Sequence, residues 1–478
     1  MNILIAPNPM KGSLDSKSFA ACIGKGFREV SPVFNLREVP LADGGDDTGK
    51  ILTALMQGRI FRESATGPAG GEIFAEYAIA GRTAIIEMAS ASGLRLLGPG
   101  EANPEKTTSR GTGELIRAAV DRGCTRILLG AGGSATVDGG IGMLGALGFS
   151  FFDVHGSELK ALPCSLGLVE RIQRSAEWPE GVGITILADV DNPLCGEQGA
   201  ARIFGPQKGA DQEMVLRIEE RLSHWIGVLE KEAGTSLRDI PGMGAAGGVA
   251  SGLVVFLNGR IVNGAGYIFD LLEMEKQIAW ADWIITGEGC ADKRGGSAKA
   301  PGALARLASA AGKPVTMIAG SYDPDISAGY DGTFSISNGS EPLAELLKKA
   351  AEKTTLLARQ IASILLKSYP ENFKAHQIFT EIENLIREGK NARAQELLEV
   401  ISQDACSHFW YLKGLISFKS QDWGNAMNHF RKSFDLDPGN SKPATNLTII
   451  QQILSFRNPD LLNPRKVGIF FVIPPADL

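Results

Sequence analysis

The sequence predicts a doubly wound α/β fold, and three observations carry that reading. Short apolar runs alternate with amphipathic helical patterns from the first residue. Several of those runs stop at Gly, Asp or Pro clusters, and 58 of the 478 residues are glycine. Buried parallel strands read as near-continuous apolar stretches whose carboxyl ends open into ligand-holding loops. Abundant glycine supplies loops in which backbone approaches a neighbour closely. A chain of this length exceeds one ordinary core, so two or three folding units are expected.

Taken in order, the first strand is Asn2 to Ala6, followed by a helix from Ser16 to Val30 and a strand from Asn35 to Val39. Further strands are expected at Ala84 to Met88, Arg126 to Leu129, Ile184 to Ala188, Trp283 to Thr286 and Val315 to Ala319. After Lys367 the pattern changes. Ser368-Tyr369-Pro370-Glu371-Asn372 breaks the preceding helix, and strand signal is nearly absent until the last dozen residues. Trp410, Gly414, Ala426, Phe430 and Pro438 fall at the spacing of a tetratricopeptide repeat, with a weaker copy suggested by Ala394 and Leu398. The chain therefore divides into a catalytic region, 1–367, and a helical, tetratricopeptide-repeat-like region, 368–478. Two roles stay open for the latter: a surface for a protein partner, or an appendage that packs on the catalytic region or drives self-association.

The charge balance, 48 Lys and Arg against 54 Asp and Glu for a net charge of -6, gives no attraction for phosphate backbones or anionic membranes. Nucleic acid and membrane are excluded as expected partners. The N-terminal apolar stretch stops at Pro7 and reads as a strand, and the late run from Val467 to Ile473 falls well short of the roughly 18 residues a membrane span needs. A cytoplasmic protein is expected. Six scattered cysteines without a C-x-x-C pair argue against a disulfide framework or a zinc site. Of five histidines, His376, His408 and His429 lie in the tail, and His155 and His224 are remote from any Gly-rich or acidic motif. Chemistry built on Ser/His/Asp is disfavoured accordingly.

Gly44-Gly45-Asp46-Asp47-Thr48-Gly49-Lys50-Ile51 fits G-x-x-x-x-G-K but carries Ile51 where a P-loop needs a magnesium-binding hydroxyl. Its two acids would repel the phosphates that a P-loop cradles, so the P-loop reading is rejected. Asp43 and Asp46 remain candidates for holding Mg²⁺ or a hydroxyl-bearing substrate. Four Gly-dense loops suit anionic oxygens: Lys11-Gly12-Ser13-Leu14, Ser109 to Glu114, Gly130 to Gly140, and Gly242 to Gly248. Each alone is as readily a structural turn; their joint occurrence at strand ends points to an anion-binding cleft. Asp189-Val190-Asp191-Asn192-Pro193 follows a buried strand and sets two carboxylates on one face of an extended stretch, although such a turn can also merely end a strand. Gly287-Glu288-Gly289 with Asp292 forms another acidic, glycine-lined turn. Phosphoryl transfer needs little more than Lys, Asp and Mg²⁺. A nicotinamide oxidoreductase is disfavoured, because no G-x-G-x-x-G follows the first strand.

The ordered blocks KGSL, ADGG, EMASASGL, GTGELI, GGSAT-x-DGG, DVDNPLCG, GAARIFGPQKGA, GMGAAGG, ITGEG and KAPG resemble the bacterial type I glycerate kinases from Met1 to about Lys367. The resemblance implies a two-lobed α/β fold with one Rossmann- or flavodoxin-like lobe discontinuous in sequence, and Mg-ATP-dependent phosphorylation of D-glycerate to a phosphoglycerate. Carried over residue by residue, it implies Asp189, Asp43 and Lys11 as catalytic groups, with Asp189 the preferred base. Ser13, Gly44, Gly45, Asp191 and Lys208 are then the substrate set. Gly132, Gly133, Ser134, Thr136, Asp138, Gly287, Glu288 and Asp292 form the nucleotide set, and Asp43 with Asp191 the metal ligands. The chain departs from the family pattern at Asn8-Pro9-Met10, Asp46-Asp47, Arg110, Val137 and Arg294-Gly295. Two other readings stand beside this one: a kinase of another small hydroxy acid, and a metabolite-binding scaffold with a protein-binding helical tail.

Overall fold

The computed structural model describes residues 1–42, 48–175, 178–291, 299–337, 339–399, 401 and 406–457. The chain opens with β1 (Asn2–Ile5), α1 (Ser16–Val30) and β2 (Asn35–Glu38). It then builds a second lobe from α2 (Thr48–Leu55), β3 (Arg59–Thr66), β4 (Glu72–Ala80), β5 (Thr83–Glu87), α3 (Met88–Ser92), α4 (Arg110–Asp121), β6 (Arg126–Gly130) and α5 (Ile141–Ala146). The same lobe continues through β7 (Phe149–Phe152), β8 (Glu158–Leu159), β9 (Arg171–Arg174), β10 (Gly183–Ala188), α6 (Ala200–Phe204), α7 (Gln212–Ala233), α8 (Val249–Leu257) and β11 (Arg260–Asn263). Helices α9 (Gly264–Leu271) and α10 (Met274–Trp280) lead back to the first lobe, which is completed by β12 (Trp283–Ala291), α11 (Ala300–Ala310), β13 (Val315–Tyr322), β14 (Gly332–Ser335) and α12 (Leu343–Ser368).

The first lobe is a parallel sheet in the order β14-β13-β12-β1-β2, so its strands come from both ends of the catalytic region. Ile3 stands beside Trp283 on one side and Leu36 on the other. The second lobe carries the order β11-β10-β6-β5-β4-β3, parallel from β11 to β5 and antiparallel beyond, with a small antiparallel β8-β7-β9 sheet alongside. The predicted α/β class is therefore observed, and the discontinuous lobe with it.

Local chemistry explains the elements that position the cleft. Helix α1 starts where the Asp15 carboxylate accepts from the Ser18 amide at 2.7 Å, satisfying one of the unpaired first-turn donors. Phe19, Ile23 and Phe27 recur every four residues and face inward, each fully buried; a buried side chain of that size stabilises by roughly 1.5–3 kcal/mol. In the second lobe, α7 is capped by Asp211 through the Met214 amide at 2.8 Å. It buries Trp225, whose indole N–H donates to the Gly139 carbonyl at 3.1 Å and so ties the helix to a glycine-rich loop.

Beyond α12 the chain continues as α13 (Pro370–Arg387), α14 (Asn391–Glu399), α15 (Ser407–Lys419), α16 (Trp423–Leu436) and α17 (Ser441–Arg457). Pro370 sits in the first turn of α13, where its missing N–H costs nothing. These helices share a core with the first lobe: Phe379, Ile382, Leu398 and Leu412 belong to the same apolar cluster as Ile3, Phe19, Ile23 and Ile361. Arg28 on α1 bonds Asp437 beyond α16 through two nitrogens, at 2.6 and 3.0 Å, and Glu38 at 2.7 Å. Among the described residues no helix is long and apolar enough to cross a membrane.

Candidate active site

The carboxyl ends of the parallel strands of both sheets open onto one cleft between the lobes, as open α/β sheets direct. Its first-lobe half, about 540 Å³, is lined after β1 by Asn8 to Lys11, at the end of β12 by Glu288 to Cys290, and by Ile336. Helix α12 closes it with Leu343, Leu346, Leu347 and Ala350. The second-lobe half, about 570 Å³, is lined by Glu87 at the end of β5, by the Ala131 to Ser134 loop after β6, and by Lys50, Arg95, Gln207 and Lys208. Lys11 and Asp189 line both halves, so the residues singled out as catalytic mark the seam where the lobes meet.

The floor of the first-lobe half demands glycine. A Cβ at Gly320 would stand 2.4 Å from the Gly289 carbonyl oxygen, and one at Gly289 would meet the Lys11 amide nitrogen at 3.0 Å. The β1, β12 and β13 ends thereby approach closely enough to bring Lys11 and Glu288 to one cavity. Lys299, at the start of α11, places its ammonium 3.6 Å from the Glu288 carboxylate. Gly287 lies one residue deeper, packed under Phe19 and beside Ile318 rather than on the cavity wall.

The second-lobe half is built differently. Lys208 is 3% exposed, and its ammonium donates to Ser134 Oγ and to the Thr136 carbonyl, both at 2.8 Å. Burial pulls that ammonium down to about 7, with the nearby Asp138 charge acting in the opposite direction. Asp138 itself is fully buried. Its carboxylate accepts from the Ser109 amide and hydroxyl and from the Gly140 amide, and burial raises it against those hydrogen bonds. The Gly242 to Gly248 segment backs this loop. Ala246, in the left-handed region at φ 52°, lines the cleft, and its carbonyl accepts from Thr136 Oγ1 at 3.4 Å. A side chain on Gly247 would stand 2.0 Å from the Thr136 carbonyl oxygen.

The expected residues thus fall into four groups. Lys11, Asp189, Glu288, Gly132, Gly133, Ser134 and Lys208 line the cleft. Thr136, Asp138 and Gly287 lie behind it, as buried supports of its walls. Ser13 closes a turn by donating to the Met10 carbonyl at 3.3 Å, and Asp191 is exposed; neither lines either half. Asp43, Gly44, Gly45 and Asp292 lie outside the described residues, as do Asp46, Asp47, Arg294 and Gly295.

Four charged cleft residues are not among the expected site residues: Lys50, Glu87, Arg95 and Lys299. Glu87 begins the EMASASGL stretch within an expected strand, and that position is the available signal. Its carboxylate accepts from the Gly49 amide at 3.0 Å, occupying the N-terminal end of α2 that a P-loop would offer to phosphate. Of the departures from the family pattern, Asn8, Pro9 and Met10 line the cleft. Arg110 pairs with Glu114 on α4, and Val137 is core.

A family model described as the glycerate kinase family matches residues 3–366. A glycerate kinase of Bacillus subtilis (strain 168) is 40% identical over 371 residues, covering 76% of this chain and 97% of its own. A glycerate 2-kinase of Escherichia coli (strain K12) is 40% identical over 373 residues, covering 76% of this chain and 98% of its own. A crystal structure assigned to glycerate kinase 2 of Salmonella typhimurium LT2 superposes with a TM-score of 0.67 at 38% identity, covering 77% of this chain and 99% of that one. Helices α13 to α17 lie beyond the matched span.

Proposed function

Because the chain belongs to the glycerate kinase family, we propose that it transfers the γ-phosphoryl group of ATP to D-glycerate in the cleft between its lobes. The observation that carries this reading is the meeting of Lys11 and Asp189 where an aliphatic half and a cationic half of one cleft join. Adenine is a flat, largely apolar ring, and the half walled by Ile336, Leu343, Leu346 and Leu347 suits it. Glycerate is a small carboxylate, and Lys50, Arg95, the Gly132-Gly133 amides and the Ser134 hydroxyl suit its oxygens. On this reading Glu288 stays with the nucleotide, and Gly132, Gly133 and Ser134 pass to the acid.

Asp189 takes the proton of the glycerate hydroxyl as the new O–P bond forms and the bond to the β,γ-bridging oxygen breaks, releasing ADP. Lys11 neutralises charge on the group in transit. Magnesium fits this site because Glu288 presents hard oxygen donors to the nucleotide half; Glu288 would hold it, and it would neutralise phosphate charge there. Asp191, exposed beyond the seam, is given no part in metal binding.

For the C-terminal helices we propose a tetratricopeptide-repeat-like element used as an appendage of the first lobe. Gly414 lets α15 close on α16, since a Cβ there would meet the Phe430 ring at 2.5 Å, and Ala426 and Phe430 are fully buried between the two helices. The apolar faces of α13 to α15 are spent on the first-lobe cluster.

The test is ADP production by the full chain with ATP, Mg²⁺ and D-glycerate, against L-glycerate and substrate-free controls. Turnover with D-glycerate alone is expected. Folded protein that makes no ADP with either enantiomer would sink the reading in favour of another hydroxy acid or a metabolite-binding scaffold.

A further inference from the structure

Lys208 is set into the wall of the second-lobe half, 3% exposed, with its ammonium turned to two groups of that wall. A charged ammonium has three donors and no acceptor, so the 2.8 Å contact to Ser134 has the lysine donating and the serine oxygen accepting. A second ammonium proton goes to the Thr136 carbonyl at 2.8 Å. The serine hydroxyl proton must therefore point away from Lys208. Ser134, 7% exposed, lines the second-lobe half beside Gly132 and Gly133, so the open direction is the cleft.

We propose that Lys208 is a positioning residue, whose ammonium turns the Ser134 hydroxyl into a fixed donor toward a carboxylate oxygen of the acid substrate. The inference rests on the kinase reading and names the group that recognises the acid. Lys208 makes no contact with substrate itself; it acts through Ser134. A neutral amine at the same place would have a lone pair to accept the Ser134 proton. Its remaining protons would keep the bond to Thr136, and the hydroxyl would be withdrawn from the cleft. The relay is thus switched by the protonation of one buried nitrogen.

Burial sets that switch near neutrality, since it draws Lys208 down to about 7. The charged groups around it are Asp138 behind the loop and, across the cleft half, Lys11, Lys50, Glu87, Arg95 and Asp189. Asp138 favours the charged lysine. A bound carboxylate does the same, so binding of the acid and protonation of Lys208 reinforce each other. As pH rises through the lysine's titration, affinity for the acid falls while affinity for ATP, held in the other half, does not.

The experiment is the pH dependence, from about 6 to 9, of KM for D-glycerate and for ATP in the wild-type full chain, Lys208→Met, Ser134→Ala and the double variant. Circular dichroism and melting confirm that each is folded. Losing one hydrogen bond to a charged group predicts a rise of about tenfold in the glycerate KM for either single variant at pH 6.5. The double variant should add no further rise, and the ATP KM should change less than about twofold, since Ser134 does not line the nucleotide half. The wild-type glycerate KM should climb above neutrality, and the climb should vanish in both single variants. A climb retained in Lys208→Met, or single-variant effects that simply multiply in the double variant, would overturn the relay while leaving the kinase reading intact. A wild-type chain without D-glycerate turnover would overturn both.

Discussion

The two halves of the cleft solve one problem, the open strand end, in opposite ways. In the first lobe, glycines draw three strand ends together and a long helix supplies an aliphatic lid from Leu343 to Ala350. In the second lobe, glycine loops expose backbone amides, and cations are set into and behind the wall. An apolar wall binds through area and tolerates small shifts; a charged, hydrogen-bonded wall binds through direction and does not. The difference teaches which half can discriminate. Adenine needs area, whereas a three-carbon acid offers little area and must be recognised by its oxygens.

The comparison breaks most severely at the seam, because Asp189 belongs to both halves. Asp189→Asn removes the base while keeping shape, and kcat should fall about a thousandfold with both KM values within severalfold. Steady-state kinetics on folded protein decides it, and a rate within tenfold of wild type would end the assignment. The next largest effect sharpens the division. Leu347→Asp sets an unpaired charge in the aliphatic wall and should raise the ATP KM about thirtyfold, roughly 2 kcal/mol, without moving the glycerate KM. A parallel rise in both constants would mean that the halves are not separate sites.

Much of the fold was legible because the central parallel strands β1, β5, β6, β10, β12 and β13 are mostly buried and so announce themselves without side-chain alternation. Helix α1 runs from Ser16 to Val30 as expected, and β12 and β13 begin at Trp283 and Val315 as expected. The antiparallel β3 and β4 escaped notice. β3 is the edge and β4 its inner neighbour; each turns one face to the core through Ala65, Ala75 and Tyr77 and the other to solvent through Ile60 and Phe74, so neither carries the continuous apolar run that marks the buried parallel strands. Of the site, Lys11, Asp189 and Glu288 could be singled out because acids and lysines next to glycine loops invite a chemical reason, whereas Lys208 is implied only by the family resemblance. Asp138 shows the limit of that logic. Its motif position resembles that of a ligand-binding group, yet its carboxylate is consumed by Ser109 and Gly140 inside the wall. Lys50 and Arg95 lie on elements whose approach to the cleft only the tertiary fold decides.

A smaller effect separates the halves by stability rather than rate. The folded-state Lys208 titrates at about 7, below the roughly 10.4 of an unfolded lysine. Below pH 7 both states hold the proton and the folded chain bears the whole cost of burying the charge. Between about 7 and 10.4 the unfolded state binds more protons, so linkage makes stability rise with pH in that window. Lys208→Met removes the cost and should stabilise the chain by about 2 kcal/mol at pH 6, with the gain shrinking toward pH 10. Denaturant melts at both pH values check the sign; a variant less stable than wild type at pH 6 would mean that the bonds to Ser134 and Thr136 outweigh the burial.

The smallest effect on the cleft should come from the far side of the first lobe. Arg28 joins Asp437 and Glu38 across the junction between α1 and the C-terminal helices, with Asp437 nearly enclosed and Arg28 about one-fifth exposed. Asp437→Asn leaves the geometry but removes one charge of a partly buried pair, at a cost of about 1 kcal/mol after allowance for solvent screening. Because α12 carries both the aliphatic lid and the surface that α13 packs on, loosening the tail would reach the nucleotide half only through that helix. A helix that already shares its buried face with α1 should hold its place. The expected result is a melting transition lowered by a few degrees with both KM values unchanged. A raised ATP KM in this variant, with glycerate unaffected, would instead show that the C-terminal helices set the lid, and would make the appendage part of the nucleotide site.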